Sequence, residues 1–241
     1  MKQIKMIDNY RQLPVGAYLK ILDICEDADR ESLDRQAAII AVLAGLTEEE
    51  VYLLPLDVYG DCAARTAFLE ADVPESAVSV GKTITIGGVK YTVPRNPAKI
   101  TTAQFVDFKN YSAMDKKRPV PELLSAMLVP EGCRYGEGYE VTEVQQNIRE
   151  NLDTVSAFAL SGFFLKSWVR FTRDSLSSLE PVLRKLERKG KKTEVETIRR
   201  QTTEILTILE ESGRGLTTLW PSRPLPILRG TPFGIWDASN S

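Results

Sequence analysis

Apolar residues in this chain recur every three or four positions up to about residue 70, every second position from about residue 77, and every three or four again from residue 101. That order admits a mainly α fold interrupted by one small β element, because a period near 3.6 builds one face of a helix and a period of 2 builds one face of a strand. Leu13-Pro14-Val15-Gly16 opens the first helix, with Val15, Tyr18, Leu19, Leu22 and Cys25 on one side. After the acidic run Glu26-Asp27-Ala28-Asp29, a second helix from about Glu31 aligns Leu33, Ala37, Ile40, Ala41 and Ala44. Gly45 ends it, since glycine tolerates the left-handed turn that closes a helix, and the two helices are expected to form a hairpin.

Thr47 and Glu50 have the spacing of a capping box, in which hydroxyl and carboxylate each satisfy a free backbone N–H at a helix start. A short helix over 48–54 follows and Pro55 stops it. Leu56, Tyr59, Ala63, Thr66 and Ala67 then predict another amphipathic helix to about Glu70. In the period-2 stretch, Val78, Val80, Ile84 and Ile86 are separated from Val89, Tyr91 and Val93 by Gly87-Gly88, a dipeptide suited to the positive φ angles of a tight hairpin. Pro94 and Pro97 close this β-insert of about 77–94, because proline donates no ladder hydrogen bond.

Thr101 and Gln104 offer a second capping box, leading a helix with Phe105, Phe108 and Tyr111 on its apolar side. Pro121 begins a helix through Met127, and a long loop holds Pro130-Glu131-Gly132, Gly136 and Gly138. Helical patterns resume over Thr142–Asp153 and Val155–Arg173, the latter apolar nearly all round and so expected to be central. Beyond it lie two apolar series, Leu176, Leu179, Leu183 and Leu186, then Val195, Ile198, Thr202, Ile205 and Leu209. Their phases disagree around Lys189-Gly190-Lys191, which predicts a turn between two helices, with one kinked helix as the alternative. After Ser212-Gly213 come Pro221, Pro224, Pro226 and Pro232 with two tryptophans, an extended tail. The expected architecture is therefore mainly α: a multi-helix domain over 1–175 carrying the β-hairpin, a helical hairpin over 176–212, and a Pro/Gly/Trp tail over 213–241.

Composition removes several functions. The chain holds 31 basic and 33 acidic side chains for a net charge of −2, so no global field draws it to nucleic acid or an anionic membrane. Cys25, Cys62 and Cys133 are odd in number and never paired as Cys-x-x-Cys, which argues against a disulfide framework or zinc site and fits a reducing cytoplasm. The N-terminus runs into Asp8, Asn9, Arg11 and Gln12 without an apolar stretch, so no secretory signal is expected. The most apolar window, Val155–Phe171, is interrupted by Lys166 and Arg170 and falls short of the roughly 20 apolar residues of a membrane span. With no histidine in the chain, Ser-His and Cys-His nucleophiles, histidine-ligated zinc and histidine general bases are all excluded.

Other site-like patterns are weak. Gly81-Lys82-Thr83 resembles the end of a phosphate-binding loop, but Ser76 stands where the first glycine belongs and a strand follows where a helix is needed. Gly132–Gly138 reads as a flexible loop, matching no dinucleotide fingerprint. Asp57 and Asp61, with Cys62 adjacent, supply too few ligands for a cation cage. Arg184, Lys185, Arg188, Lys189, Lys191 and Lys192 form a local basic cluster, yet without an aromatic to stack on a base they read as a solvated helical face. No catalytic residue, cofactor or metal is expected. The segment best suited to binding a partner is the tail, where Trp220, Pro221, Pro224, Leu225, Ile227, Leu228, Phe233 and Trp236 combine stiff backbone with large apolar anchors; docking on the chain's own domain is the alternative.

Several phrases and their order resemble tail assembly chaperones of tailed bacteriophages, especially gut phages. They are Leu13-Pro14-Val15-Gly16, Leu46-Thr47-Glu48-Glu49-Glu50 with Leu54-Pro55-Leu56, Ile100-Thr101-Thr102-Ala103-Gln104-Phe105-Val106-Asp107-Phe108, and Leu128-Val129-Pro130-Glu131-Gly132. The resemblance spans roughly residues 10 to 155 and leaves the chain from Leu176 onward unmatched. It implies a non-enzymatic helper in the host cytoplasm that binds the long tape-measure protein and brings tail-tube subunits to it. The unmatched arm also suits a virion structural or connector protein that oligomerises through it.

Overall fold

The computed structural model describes residues 4–74, 80–112, 114, 118–203 and 207. The chain is mostly helical with a small three-stranded antiparallel sheet, the mainly α fold that the change of period predicts. The described residues divide into two compact units, one built from residues up to 74 with 153–155, the other from the intervening segment and the described residues from 156 on.

In the first unit, α1 (Val15–Glu26) and α2 (Ser32–Ala44) form the expected hairpin, burying Val15, Tyr18, Ile21 and Leu22 together with Ala37, Ile39, Ile40 and Leu43. Gly45 closes α2 at φ 66°. The Thr47 capping box forms in full, with Glu50 N–H donating to Thr47 Oγ1 at 3.2 Å and Thr47 N–H to the Glu50 carboxylate at 2.8 Å. It starts α3 (Glu48–Tyr52), followed by α4 (Leu56–Arg65) and a 3-10 turn over Thr66–Glu70. Tyr10 locks the end of that turn: its hydroxyl donates to the carbonyls of Leu69 (3.2 Å) and Ala71 (2.9 Å), and its ring meets Tyr18 and Phe68 edge-on. Burial pushes its phenol well above the usual range. Arg65 donates to the carbonyls of Ile4 (3.0 Å) and Met6 (2.7 Å), and Thr154, the first residue of α8 (Thr154–Arg188), donates through N–H and hydroxyl to Leu13 O.

In the second unit, β1 (Thr83–Ile86) and β2 (Val89–Thr92) pair about Gly87 and Gly88, at φ 54° and 81°, the two consecutive positive angles of a tight hairpin turn. The sheet has a third strand that period alone does not announce, β3 (Val129–Pro130), pairing antiparallel with Tyr91 and Thr92. Asn147 of α7 (Val141–Asn151) fastens the hairpin to the helices by donating to Ile86 O (3.0 Å) and the Tyr91 hydroxyl (2.7 Å). The second capping box also forms, between Thr101 and Gln104 at the head of α5 (Thr102–Ser112), and Gln104 Nε2 goes on to the Ala126 carbonyl of α6 (Val120–Met127). Glu122, 6% exposed, accepts from Arg149 at 2.6 Å, which joins α6 to α7.

Trp168 stacks on Phe108 with centroids 5.7 Å apart and planes 13° apart, and lies beside Phe105, so α8 is held on α5 by aromatic contact. The helix expected to end near Arg173 does not end there: α8 continues unbroken through Pro181 to Arg188. Phe164, Trp168, Thr172, Leu176, Leu179 and Leu183 follow one another at steps of four and three, so the apolar stripe never leaves phase. The turn comes at Gly190, φ 78°, where Lys191 N–H reaches Leu186 O and Gly190 N–H reaches Glu187 O, a glycine C-terminal motif that satisfies the last carbonyls of α8. A further helix, α9, runs over 192–203 and folds back, with Val195 and Leu183 buried and Arg199 bridging Glu180 and Glu187 of α8. The expected turn between two helices is thus the arrangement adopted, and the single kinked helix is not.

Candidate interaction surfaces

Trp220, Pro221, Pro224, Leu225, Ile227, Leu228, Phe233 and Trp236, the tail residues expected to bind a partner, lie outside the described residues. Among the described residues no group of three or more cysteine, aspartate or glutamate side chains is placed to hold a metal ion. Asp57 and Asp61 are exposed on α4, whereas Cys62 is buried between the turns and its thiol is pushed up by that burial. Gly81-Lys82-Thr83 runs directly into β1, with Lys82 O accepting from Val93 N–H, so it presents no helix N-terminus. The loop expected to be flexible at Gly132–Gly138 is instead tied down. A backbone β-bridge between Arg134 and Glu137 closes it and Tyr135 donates to Asp107 at 2.7 Å, with burial and then that bond raising the Tyr135 phenol. No helix among the described residues is long and apolar enough to cross a membrane.

Among the described residues, exposed large apolar side chains gather in two stretches, apart from Val89, Val106 and Met114. On the first unit, Leu33 and Tyr52 are each 50% exposed, Leu53 83% and Leu56 72%. Tyr52 donates to Asp34 Oδ1 at 2.6 Å and Tyr59 donates to Gln36 at 3.1 Å. These bonds bring the junction of α3 and α4, which holds Leu53 and Leu56, against the first turns of α2, which hold Leu33. Acidic residues flank these positions along the chain, Asp34, Glu48, Glu49, Glu50 and Asp57, of which Glu48 is paired with Arg30 at 2.9 Å. The hydrogen bond to Asp34, and the burial and acidic charge around it, push the Tyr52 phenol up to about 12. An apolar cluster ringed by polar groups is the usual signature of an interaction site.

The second surface is the α8/α9 hairpin. Leu179 and Val182, 37% and 52% exposed, continue along α8 into Lys185 and Lys189 at helical spacing. The basic cluster read from the sequence therefore does form a solvated face, with Lys185, Arg188, Lys189 and Lys192 all exposed, but an apolar strip lies on it.

No family model, curated protein or solved structure matches the chain.

Periodicity places Leu33 and Leu56 on the inner faces of their helices, and the structure corrects both. Each lies in the first turn of its helix and stays exposed there, Leu33 by 50% and Leu56 by 72%. The available signal was the run Leu53-Leu54-Pro55-Leu56, three leucines about a proline, more than a short helix end can bury.

Proposed function

We propose that this chain is a non-enzymatic morphogenesis factor of a tailed bacteriophage, a tail assembly chaperone that binds tape-measure and tail-tube proteins in the host cytoplasm. The observation that carries the reading is the exposed apolar surface of Leu33, Tyr52, Leu53 and Leu56. A helper that keeps a long helical client soluble needs an open apolar face for the client's apolar stripe, and a protein that acts alone leaves little such surface uncovered. Two of the phrases that carry the family resemblance, Leu46–Glu50 and Leu54-Pro55-Leu56, sit in or beside this surface. Its acidic surround disfavours nucleic acid and favours a basic, apolar protein segment.

The test is capture of tagged protein from producing cells, comparing the wild type with Leu53→Asp/Leu56→Asp and with a chain ending at Ser212, and identifying bound proteins by mass spectrometry. Recovery of a long helical phage protein that is lost with the aspartate pair supports the reading and this surface together. Its loss only in the truncation moves the binding site to the tail; recovery of the chain alone removes the chaperone role. A second reading, a virion structural or connector protein, is favoured by the uncovered strip on the α8/α9 hairpin. Fixed stoichiometry in mature particles would select it.

A further inference from the structure

The near-neutral net charge conceals a separation. The first 74 residues carry 14 acidic and 7 basic side chains, a net of −7, whereas residues 166–200 carry 11 basic and 5 acidic, a net of +6. Each region also holds an exposed apolar surface of its own charge: Leu33, Tyr52, Leu53 and Leu56 among Asp34, Glu48, Glu49 and Asp57, and Leu179 and Val182 beside Lys185, Arg188 and Lys189. Apolar area supplies affinity, and opposite charge selects the partner and orientation.

We propose that the acidic apolar surface of the first unit is occupied by the basic α8/α9 hairpin of a second copy of this chain. The contact joins unlike surfaces, so two copies either close reciprocally into a two-fold dimer or leave one surface of each free and continue into a ring or an open chain. Several features match between the two surfaces. Both carry a short apolar strip, about one to two turns long on the hairpin side, and both place formal charge beside it with no ion-pair partner among the described residues, Glu49 and Asp57 on one and Lys185, Arg188 and Lys189 on the other. A helix laid across another through such a strip is the ordinary mode of helix-in-groove recognition. The inference rests on the first unit's surface being a protein-binding site, but not on the client being a tape-measure protein.

The experiment is sedimentation velocity on the full-length purified chain, together with two variants. One carries Leu53→Asp and Leu56→Asp, which spoil the acidic surface; the other carries Val182→Asp and Lys185→Glu, which spoil the hairpin. All four positions are exposed, and circular dichroism confirms that each variant folds. The wild type should assemble with concentration, and its association should weaken roughly tenfold or more between about 0.05 M and about 0.5 M salt. Each variant alone should be monomeric. Mixed in equal amounts, they should form a 1:1 heterodimer and nothing larger, because the first retains its hairpin and the second its acidic surface. A wild type that stays monomeric overturns the proposal, since the surfaces then pair within one chain or not at all. It is overturned equally by a variant that assembles like the wild type, or by a mixture that remains monomeric. Client capture from cells reads a different quantity, so either reading can fail alone.

Discussion

Gly87 and Gly88 are adjacent, both glycine and both at positive φ, yet alanine should be tolerated very differently at the two positions. At Gly88 (φ 81°) an added Cβ meets nothing within 4 Å. Gly88→Ala therefore adds only the left-handed backbone penalty of about 1–2 kcal/mol, partly offset by the stiffer unfolded chain. At Gly87 (φ 54°) the same Cβ overlaps Asn147 Oδ1 and comes within 2.8 Å of Asn151 Nδ2. Asn147 has little freedom to yield, because its Nδ2 holds both Ile86 O and the Tyr91 hydroxyl and its Oδ1 accepts from Asn151 at 2.8 Å. Moving it sacrifices two or three hydrogen bonds worth about 0.5–1.5 kcal/mol each, so Gly87→Ala should be less stable than Gly88→Ala by roughly 2 kcal/mol. In a urea titration followed by circular dichroism, with a slope of about 1–3 kcal/mol per molar, the two midpoints should differ by on the order of 1 M. Introducing Asn147→Ala should close most of that gap, since the obstructing oxygen is gone from both variants. Equal midpoints for the two glycine variants would refute the claim that α7 sits against the hairpin turn.

Two further outcomes follow from the polar contacts. Arg149→Ala should destabilise the protein by about 1.5–3 kcal/mol, the range for one hydrogen bond to a charged group, because it removes the 2.6 Å bond to the Glu122 carboxylate, whose side chain is 7% exposed; a denaturant melt reads the loss. Tyr52 is raised to about 12, first by its hydrogen bond to Asp34, so its neutral form is favoured by folding. That contribution to stability is whole below the unfolded value of about 10 and fades as pH rises through about 12; Asp34→Asn should move one tyrosine to lower pH in an ultraviolet absorbance titration, and an unchanged curve would show that the bond does not form in solution.

Local chemistry was legible in the sequence wherever one residue or one short spacing decides the outcome. Gly45 and Gly190 end helices because only glycine adopts their φ without strain, and the boxes at Thr47/Glu50 and Thr101/Gln104 close because their partners are three residues apart. Features decided by distant residues were not legible. β3 is two residues long and exists only because Tyr91 and Thr92 offer it a free edge, 39 and 37 positions back from Pro130 and Val129. The Gly132–Gly138 loop looked loose because Asp107, which ties it through Tyr135, is 28 residues back. Pro181 lies in the middle of a helix that local rules end earlier, and α8 passes through it with the apolar stripe in register on both sides.

The interaction surfaces were hidden for a related reason. Hydrophobic period reports which side of a helix is apolar, but not whether another element covers each position on it, and Leu33 and Leu56 stay exposed at the starts of α2 and α4. Charge behaves the same way at the scale of the whole chain: a net of −2 speaks against a strong global field, yet it arises from an acidic first unit set against a basic α8/α9 segment. A chain whose charges were mixed evenly would have nothing to gain from meeting a second copy in one particular orientation. Here like-charged surfaces repel and unlike surfaces attract, so the same arithmetic that makes the monomer look electrostatically bland makes an acidic surface meeting a basic hairpin the favoured encounter and two acidic surfaces meeting the disfavoured one.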